Sequence, residues 1–168
     1  MKQCVLTGEK TILRPFTEQN ITKDYLAWLN NKSLMRYSNQ RFKEHSVASC
    51  KAYLESFVGT QNLFLAIYEK TYFVGTMTAY ISDYHQVADM GIMVGDQAQG
   101  KGLGLDAWQT LMQYLITQNM RKITAGTLRC NLAMLRVIER SGMKGDGVRI
   151  KQELVEGQAV DVLYFAKF

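Results

Sequence analysis

The sequence predicts a single domain of the mixed α/β class, in which helices pack against a mostly antiparallel sheet. Its 168 residues fit the usual length of one domain, so residues 1–168 are taken as one folded unit. Two observations predict the class. Three β-rich runs follow one another through short turns between residues 62 and 94, and a helical pattern then separates the third run from a fourth. Short turns predict antiparallel pairing, whereas a helical crossover predicts parallel pairing.

The N-terminal third predicts one strand and two helices. A short strand is expected over residues 11–16, ended by the only proline of the chain. Asn20 or Thr22 can cap a first helix, and Ser46 can cap a second helix that runs to about residue 57. The apolar face of the second helix should comprise Val47, Cys50, Tyr53, Leu54 and Phe57.

The rest of the chain predicts the other strands and two more helices. Further strands are expected over residues 62–69, 71–81, 89–94, 122–128, 148–154 and 159–168. One helix should run from Leu103 to about Asn119 and another from Asn131 to Arg140, and Gly145–Gly147 should form a turn. The apolar face of the first of these helices should comprise Leu105, Trp108, Leu111, Met112, Leu115 and Ile116. The sum is a central, mixed, twisted sheet of about six to seven strands with about four helices.

Composition and charge limit the classes of function. The net charge is +5, which is compatible with nucleic acid, but the basic residues are scattered and form no run of five, so a polyanionic small molecule such as a coenzyme fits equally well. No apolar run reaches the length of a membrane span, and residues 1–4 do not open like a secretory signal, so we expect a cytoplasmic protein with no membrane partner.

Cysteine and histidine usage gives no indication of a metal site. The three cysteines, Cys4, Cys50 and Cys130, form no CxxC pair, and the only histidines are His45 and His85. Neither a disulfide framework nor a zinc site is therefore predicted.

The most informative stretch is an apolar run, Asp89–Val94, followed by a glycine-rich turn and a helix. We call residues 99–104 (Gln-Gly-Lys-Gly-Leu-Gly) the glycine loop. A strand that turns through glycines into a helix presents backbone N–H groups and the positive end of the helix dipole to an anion. Glycine permits positive φ and a close approach of the ligand, and Lys101 adds a positive charge at the rim.

Three kinds of phosphate-binding loop compete for this pattern, beside the simpler alternative of a glycine-rich connection. A Walker A loop would need Ser or Thr after the lysine, where this chain has Gly102. A dinucleotide fingerprint needs G-x-G-x-x-G, usually near the start of a βαβ unit, whereas the spacing here is G-x-G-x-G and lies two-thirds along the chain. The pattern Q-x-x-G-x-G is met in full by Gln99, Gly102 and Gly104. In this setting it resembles the acetyl-coenzyme A loop of the GNAT N-acetyltransferase superfamily.

A second stretch, residues 131–143, is similar to the GNAT segment that starts with Asn and ends a helix with Glu-Lys-x-Gly-Phe. The resemblance implies a V-shaped split between strands 89–94 and 122–128, with acetyl-CoA held in it. It also implies that Asn131 contacts the pantetheine arm, although a plain helix cap is the alternative. Arg136 is either a further cofactor contact or an exposed cation. The implied cofactor-binding residues are Ile92, Met93, Val94, Gln99, Gly100, Lys101, Gly102, Leu103, Gly104, Asn131 and Arg136.

The chemistry of acetyl transfer suggests candidates for two catalytic roles. A backbone N–H near Val94 could stabilise the oxyanion if the strand splays there. The base is Asp89 by resemblance, since Ala88–Ile92 is similar to the Ala-Glu-Ile-Gly segment of relatives; a strand acid paired with Lys or Arg is the alternative. His85 is the other candidate base, and an exposed turn histidine with no role is the alternative for it.

The chain departs from the family pattern on its last helix. Many members carry a tyrosine there as the acid for the thiolate, and here the position is Ile138. Ser141 or a water could replace it, or the thiolate leaves without an acid. Cys130 is expected to be a small core residue rather than a nucleophile.

The N-terminal third resembles two GNAT groups that differ in their acceptors. The sequence pattern Tyr-Leu-x-Trp-Leu-Asn over residues 25–30, with Tyr-Ser-x-x-Arg downstream, favours by this resemblance the acetylation of a nucleotide-linked amino sugar for surface glycans. Asn30, Tyr37, Arg41 and His45 would then bind that substrate. Protein N-termini, as in ribosomal-protein alanine acetyltransferases, are the alternative acceptor.

A non-catalytic CoA-binding module and a P-loop-like hydrolase are the alternatives from other classes of function. The oligomeric state does not follow from the sequence, and a homodimer through the last strands is the candidate assembly.

Overall fold

The computed structural model describes residues 5–168, so Cys4 lies outside the described residues. The strands are β1 (Leu6–Thr7), β2 (Ile12–Pro15), β3 (Leu63–Glu69), β4 (Tyr72–Ser82), β5 (Val87–Val94), β6 (Lys122–Leu128), β7 (Lys144–Val155) and β8 (Gln158–Lys167). The helices are α1 (Lys23–Asn30), α2 (Val47–Glu55), α3 (Leu103–Thr117) and α4 (Leu132–Arg140). Short 3₁₀ turns lie at Glu18–Asn20, Asn39–Phe42 and Asp96–Ala98.

The strands form one sheet in the order β1-β2-β3-β4-β5-β6-β8-β7. Every neighbouring pair is antiparallel except β5 and β6, which are parallel because α3 carries the chain back across the sheet between them. The mixed α/β class, the mostly antiparallel sheet, the two successive hairpins and the four helices are therefore confirmed.

Helices cover both faces of the sheet. The larger apolar core lies under α3 and α4 and is centred on Trp108, Leu111 and Leu115, which are fully buried. A smaller aromatic core lies under α1 and α2, where Phe16 stacks on Phe64 with the ring centroids 4.2 Å apart. Capping follows the sequence, since the Thr22 and Ser46 hydroxyls accept from the backbone N–H groups three residues later.

The ends of the sheet differ from expectation. The short strand β1 was not predicted, because two residues give no periodicity to detect; it pairs Leu6 with Leu13. The predicted turn at Gly145–Gly147 is wrong. Strand β7 includes these residues. Its register with β8 shifts between Gly145 and Gly147, so Asp146 has no opposite residue and forms a bulge.

Three residues predicted for apolar helix faces are exposed instead. Val47 begins α2, three residues before the buried Cys50, and Ile116 lies on the outer side of the last turn of α3, where Leu115 is the residue that faces the core. Tyr53 stays at the surface because its hydroxyl pairs with the hydroxyl of Tyr80, 2.8 Å away. None of the helices between residues 5 and 168 has the length and apolar character that crossing a membrane requires.

Candidate functional site

The site is organised by a gap between β5 and β6, which we call the split. The two strands pair only at Val87–Lys122, Ala88–Ile123 and Asp89–Thr124, although both continue for several residues. Beyond Asp89 they part, while β5 stays paired with β4 as far as Val94. The V-shaped split between the central parallel strands is therefore present.

The backbone of β5 turns polar groups toward the split. The N–H of Gly95 donates to Val74 O on the neighbouring strand β4, at 2.8 Å. Since N–H groups alternate in direction along a strand, those of Ile92 and Val94 point to the other side, where β6 has moved away. The Gln99 side chain donates from Nε2 to Val94 O at 2.8 Å, which ties the glycine loop to the end of the strand.

The glycine loop has the backbone shape that its sequence predicts. Gly100 and Gly102 both have φ of +76°, a region that favours glycine. Gly102 is the N-cap of α3 and no side chain caps the helix; its first backbone bond runs from Asp106 N–H to Gly102 O. The amides of Leu103 and Gly104 therefore lack intrahelical acceptors and, with the helix dipole, form an anion-binding surface.

Two lysines, one within the glycine loop and one beside it, supply positive charge there, and the sequence analysis identified only the first. The Lys101 ammonium lies 3.7 Å from the Glu69 carboxylate, which offsets part of its charge at the rim. The Lys10 ammonium lies 3.4 Å from Lys101 O, and a Cβ at Gly102 would stand 2.9 Å from it. Lys10 is therefore a second cation beside the glycine loop. It lies 91 residues before Lys101 in the sequence and belongs to no motif, so the sequence gives no indication of this contact.

Asp106 fixes this lysine in place. Its carboxylate accepts from the N–H groups of Glu9, Lys10 and Thr11 and from the Thr11 hydroxyl, at 2.7–3.0 Å. Partial burial raises the pKa of Asp106, but these four hydrogen bonds outweigh that effect and hold the pKa below its usual value. The turn between β1 and β2 is thereby tied to the first turn of α3.

Asp89 stands at the vertex of the split. It is the last residue of β5 paired with β6, and its carboxylate accepts from the Thr124 hydroxyl at 2.7 Å. Because Ala88 and Met90 point into the core under α3, Asp89 points to the face that carries α1 and α2. Directly opposite on β4 is Tyr80.

The environment of Asp89 suits a proton acceptor. Desolvation by the neighbouring strands raises the pKa of its carboxyl, although solvent still reaches the residue, and the bond from Thr124 opposes part of the rise. The alternative of an acid neutralised by Lys or Arg is wrong, since no cation among residues 5–168 lies within ion-pair distance of Asp89.

His85 lies in the turn before β5, at the end where β5 and β6 are still paired. Its side chain is exposed, and its backbone carbonyl accepts from Arg121 Nε at 2.9 Å. The split opens at the opposite end of the strand, so the structure does not bring His85 together with the glycine loop.

The residues predicted on α4 have mainly structural contacts. The Asn131 side chain caps the helix by accepting from Met134 N–H at 3.3 Å, and Arg136 is exposed. Ile138 is buried in the core under α3 and α4, and the Ser141 hydroxyl donates to Ile138 O at 2.7 Å. Cys130 is a half-buried free thiol.

We call residues 30–46 the acceptor loop, because it holds the four predicted substrate residues. The structure brings Asn30 and His45 together: the Asn30 amide donates to His45 O at 2.9 Å and accepts from His45 N–H at 2.8 Å. His45 Nε2 lies 3.1 Å from Gln40 O. Arg41 donates to Ser38 O at 2.7 Å. Most of these polar groups shape the loop, whereas Tyr37 is half-buried under the Arg36 guanidinium, 4.6 Å from its ring centroid.

Comparison with known proteins identifies relatives of this fold. A sequence model described as the acetyltransferase (GNAT) domain matches residues 10–144. RimL, a ribosomal L7/L12 α-N-protein acetyltransferase solved with coenzyme A, superposes with a TM-score of 0.88 at 17% identity, covering 98% of this chain and 97% of its own. The microcin C7 self-immunity acetyltransferase MccE, solved with acetyl-CoA and AMP, gives 0.82 at 18% identity over 95% and 92%. A GNAT-family acetyltransferase from Bacillus anthracis gives 0.82 at 17% identity over 98% of both chains. No curated protein matches the sequence.

Proposed function

Because the chain belongs to the GNAT acetyltransferase family, and is an acetyl-CoA-dependent N-acetyltransferase, we propose that Asp89 and the glycine loop divide its chemistry between them. The observation that carries this proposal is that β5 joins the two: Asp89 stands where β5 leaves β6, and the glycine loop follows the end of the same strand. Acetyl-CoA supplies an activated acetyl group as a thioester.

The glycine loop would bind the coenzyme's diphosphate. Gly102 is the N-cap of α3, whose first amides are free to bind an anion, and a Cβ at Gly102 would stand 2.9 Å from the ammonium of Lys10. The thioester would then lie along β5, with the Val94 N–H directed at its carbonyl oxygen. A fixed backbone donor stabilises the oxyanion better than water, since it needs no reorganisation as the charge develops.

Asp89 would take the proton from the acceptor amine, directly or through a water. The amine nitrogen bonds to the acetyl carbon, the carbon–sulphur bond breaks, and the electron pair leaves on sulphur as a thiolate. A raised pKa makes the Asp89 carboxylate a stronger base than an ordinary aspartate. Its pKa and its position at the vertex favour it over His85, which we retain as the second candidate.

Protonation of the leaving thiolate would not involve a side chain of α4. Ile138 has no proton to give, and the Ser141 hydroxyl already donates to Ile138 O in a buried position. A thiolate is a competent leaving group without an acid, and water can protonate it after the C–S bond has broken.

The acceptor we propose is a nucleotide-linked amino sugar. Its support is the sequence pattern of residues 25–41 and the acceptor loop that these residues form. MccE, of the same fold, was solved in complex with acetyl-CoA and AMP. The second candidate is the amino terminus of a protein, which the close superposition with RimL favours. Both present a primary amine to Asp89 from the face of α1 and α2.

The direct test is acetyl-CoA-dependent acetylation, read by mass spectrometry, of nucleotide-linked amino sugars, peptides and polyamines. Acetyl-CoA should raise the melting temperature by mass action, whereas ATP with Mg²⁺ should change it much less. A nucleotide-linked amino sugar should gain one acetyl group. Acetylation confined to peptide amino termini would overturn the acceptor, and no thermal response to saturating acetyl-CoA would overturn the proposed site.

A further inference from the structure

A second recess lies away from the glycine loop, between the acceptor loop and the tip of the β7–β8 hairpin. It is lined by Lys32, Arg36, Arg41, Phe42, Val155 and Glu156. Its volume of about 270 Å³ is close to the lower end of the range for ligand pockets, roughly 300 Å³. We call it the basic pocket.

The basic pocket is placed toward the open end of the split. Strand β8 pairs with β6 from Lys167–Ile123 to Val162–Leu128, and the hairpin then extends past the end of β6 to its turn at Glu156. That end of β6 is the one that has parted from β5. Arg41 links the hairpin to the acceptor loop by donating from Nη2 to Leu154 O at 2.9 Å.

Three cations line the pocket beside a single carboxylate, that of Glu156, so its charge is only partly balanced within the protein. None of Lys32, Arg36 and Arg41 takes part in the four ion pairs found among residues 5–168. Lys32 donates one of its three N–H groups to Arg41 O at 2.7 Å, and Arg41 donates to two backbone carbonyls, so both keep donors for a ligand. Their bonds to carbonyls hold the cations in place without neutralising them, which suits a polyvalent anion.

The remaining lining groups suit the rest of a nucleotide. The Phe42 ring is 71% exposed, so it offers an aromatic surface for a base, and the Arg41 guanidinium lies over the ring 4.2 Å from its centroid. The Glu156 carboxylate can accept hydrogen bonds from ribose hydroxyls. A pocket meant only for an acidic peptide would need neither the aromatic platform nor the acceptor.

We propose that the basic pocket binds the nucleotide diphosphate of the acceptor, with the amino sugar directed toward Asp89. This inference rests on the proposed function, because it assumes that the acceptor is carried on a nucleotide. Lys32, Arg36 and Arg41 hold the diphosphate, Phe42 supports the base, and the glycine loop remains reserved for acetyl-CoA.

The test compares the double variant Lys32→Gln with Arg36→Gln against Lys43→Gln. Lys43 is exposed in the same loop but does not line the pocket, so it controls for loss of charge, and Arg41 is left intact because its bonds shape the loop. Kinetics are measured with a nucleotide-linked amino sugar and with the same sugar free. Each lost cation should raise KM for the linked sugar roughly tenfold, with kcat little changed. KM for the free sugar should not change, and added salt should raise only the linked sugar's KM.

A binding measurement separates failure of the pocket from failure of the proposed function. UDP, dTDP, GDP and inorganic diphosphate are titrated calorimetrically into each protein in the presence of coenzyme A. At least one nucleoside diphosphate should bind the wild type and Lys43→Gln, but not the double variant. Binding of none of them, or equal kcat/KM for linked and free sugar, overturns the pocket while leaving acetylation itself intact. Pocket-dependent acetylation of acidic peptides overturns the ligand class, and loss of all acetylation with nucleotide binding retained overturns only the proposed function.

Discussion

The glycine loop leads into α3 on one face of the sheet, and the acceptor loop joins α1 and α2 on the other. The sequence predicts the role of the first loop better than that of the second. In the glycine loop, the residues chosen from sequence have the backbone that the motif requires, with Gly100 and Gly102 at φ of +76°. In the acceptor loop, residues chosen as sugar ligands use much of their polar capacity on each other and on backbone carbonyls.

The difference follows from where the information lies. The glycine loop acts through its backbone, whose conformation is set by six consecutive residues and the helix after them. A substrate pocket acts through side chains, and the same Asn or Arg can bind a ligand or support a loop. Only the neighbours decide between these roles, and in this chain one of those neighbours, Leu154, is 113 residues from Arg41.

The largest effect is expected at Asp89, which lies outside both loops, at the vertex of the split. Asp89→Asn should lower kcat by roughly 10²–10⁴, the range for loss of a general base, while acetyl-CoA still raises the melting temperature. Asn keeps the shape of the side chain and can still accept from Thr124, so the strand should be unchanged. Retained activity in this variant would assign the base elsewhere.

The pH dependence of activity and stability tests the direction of the pKa shift at Asp89. Since desolvation raises the pKa of Asp89, wild-type activity should fall on acidification at a higher pH than an ordinary aspartate would give. A raised pKa in the folded state also means that stability conferred by the neutral form is lost as pH rises through that pKa. Asp89→Asn should therefore gain stability relative to wild type as pH rises from acid toward neutral, measured by urea unfolding. The opposite trend would indicate that the carboxylate is stabilised in the fold.

The second largest effect is expected on acetyl-CoA binding when the glycine loop is altered. Gly102→Val should raise KM for acetyl-CoA by roughly 10–100-fold and abolish its thermal stabilisation, because the side chain strains φ and intrudes where the amides must reach the diphosphate. Gly142→Val is the matched control: its φ is +77°, so it carries the same backbone cost at the end of α4. If both variants lost acetyl-CoA stabilisation equally, the effect would be one of folding alone.

Much of the fold could be predicted from the sequence, and the features that could not be predicted have a common physical cause. Hairpins, caps and the helical crossover are local, so Thr22, Ser46 and the parallel pairing of β5 and β6 were all predictable. The Asp106 network was not, because it joins residues 95–97 apart that match no motif. Lys10 reaches the glycine loop only through that network.

A moderate effect is expected in the acceptor loop. Asn30→Ala should lower the free energy of unfolding by roughly 1–2 kcal/mol, since it removes two hydrogen bonds to the backbone of His45 at an exposed site. Any rise in the acceptor's KM should be accompanied by this loss of stability. A large rise in KM at unchanged stability, measured by urea unfolding, would return Asn30 to the role of a substrate ligand.

The smallest effect is expected at His85. Its side chain is exposed at the closed end of the split, and the bond to Arg121 uses its backbone carbonyl, so His85→Gln removes no described contact of the fold. We expect kcat/KM to change by less than about twofold, within the usual range for an exposed substitution. The pH profile discriminates further between the two candidate bases, because replacing the base removes the acid limb of the profile. The acid limb should persist in His85→Gln and vanish in Asp89→Asn. Should it vanish in His85→Gln, the base would lie in the turn before β5, and the vertex of the split would serve only to position the amine.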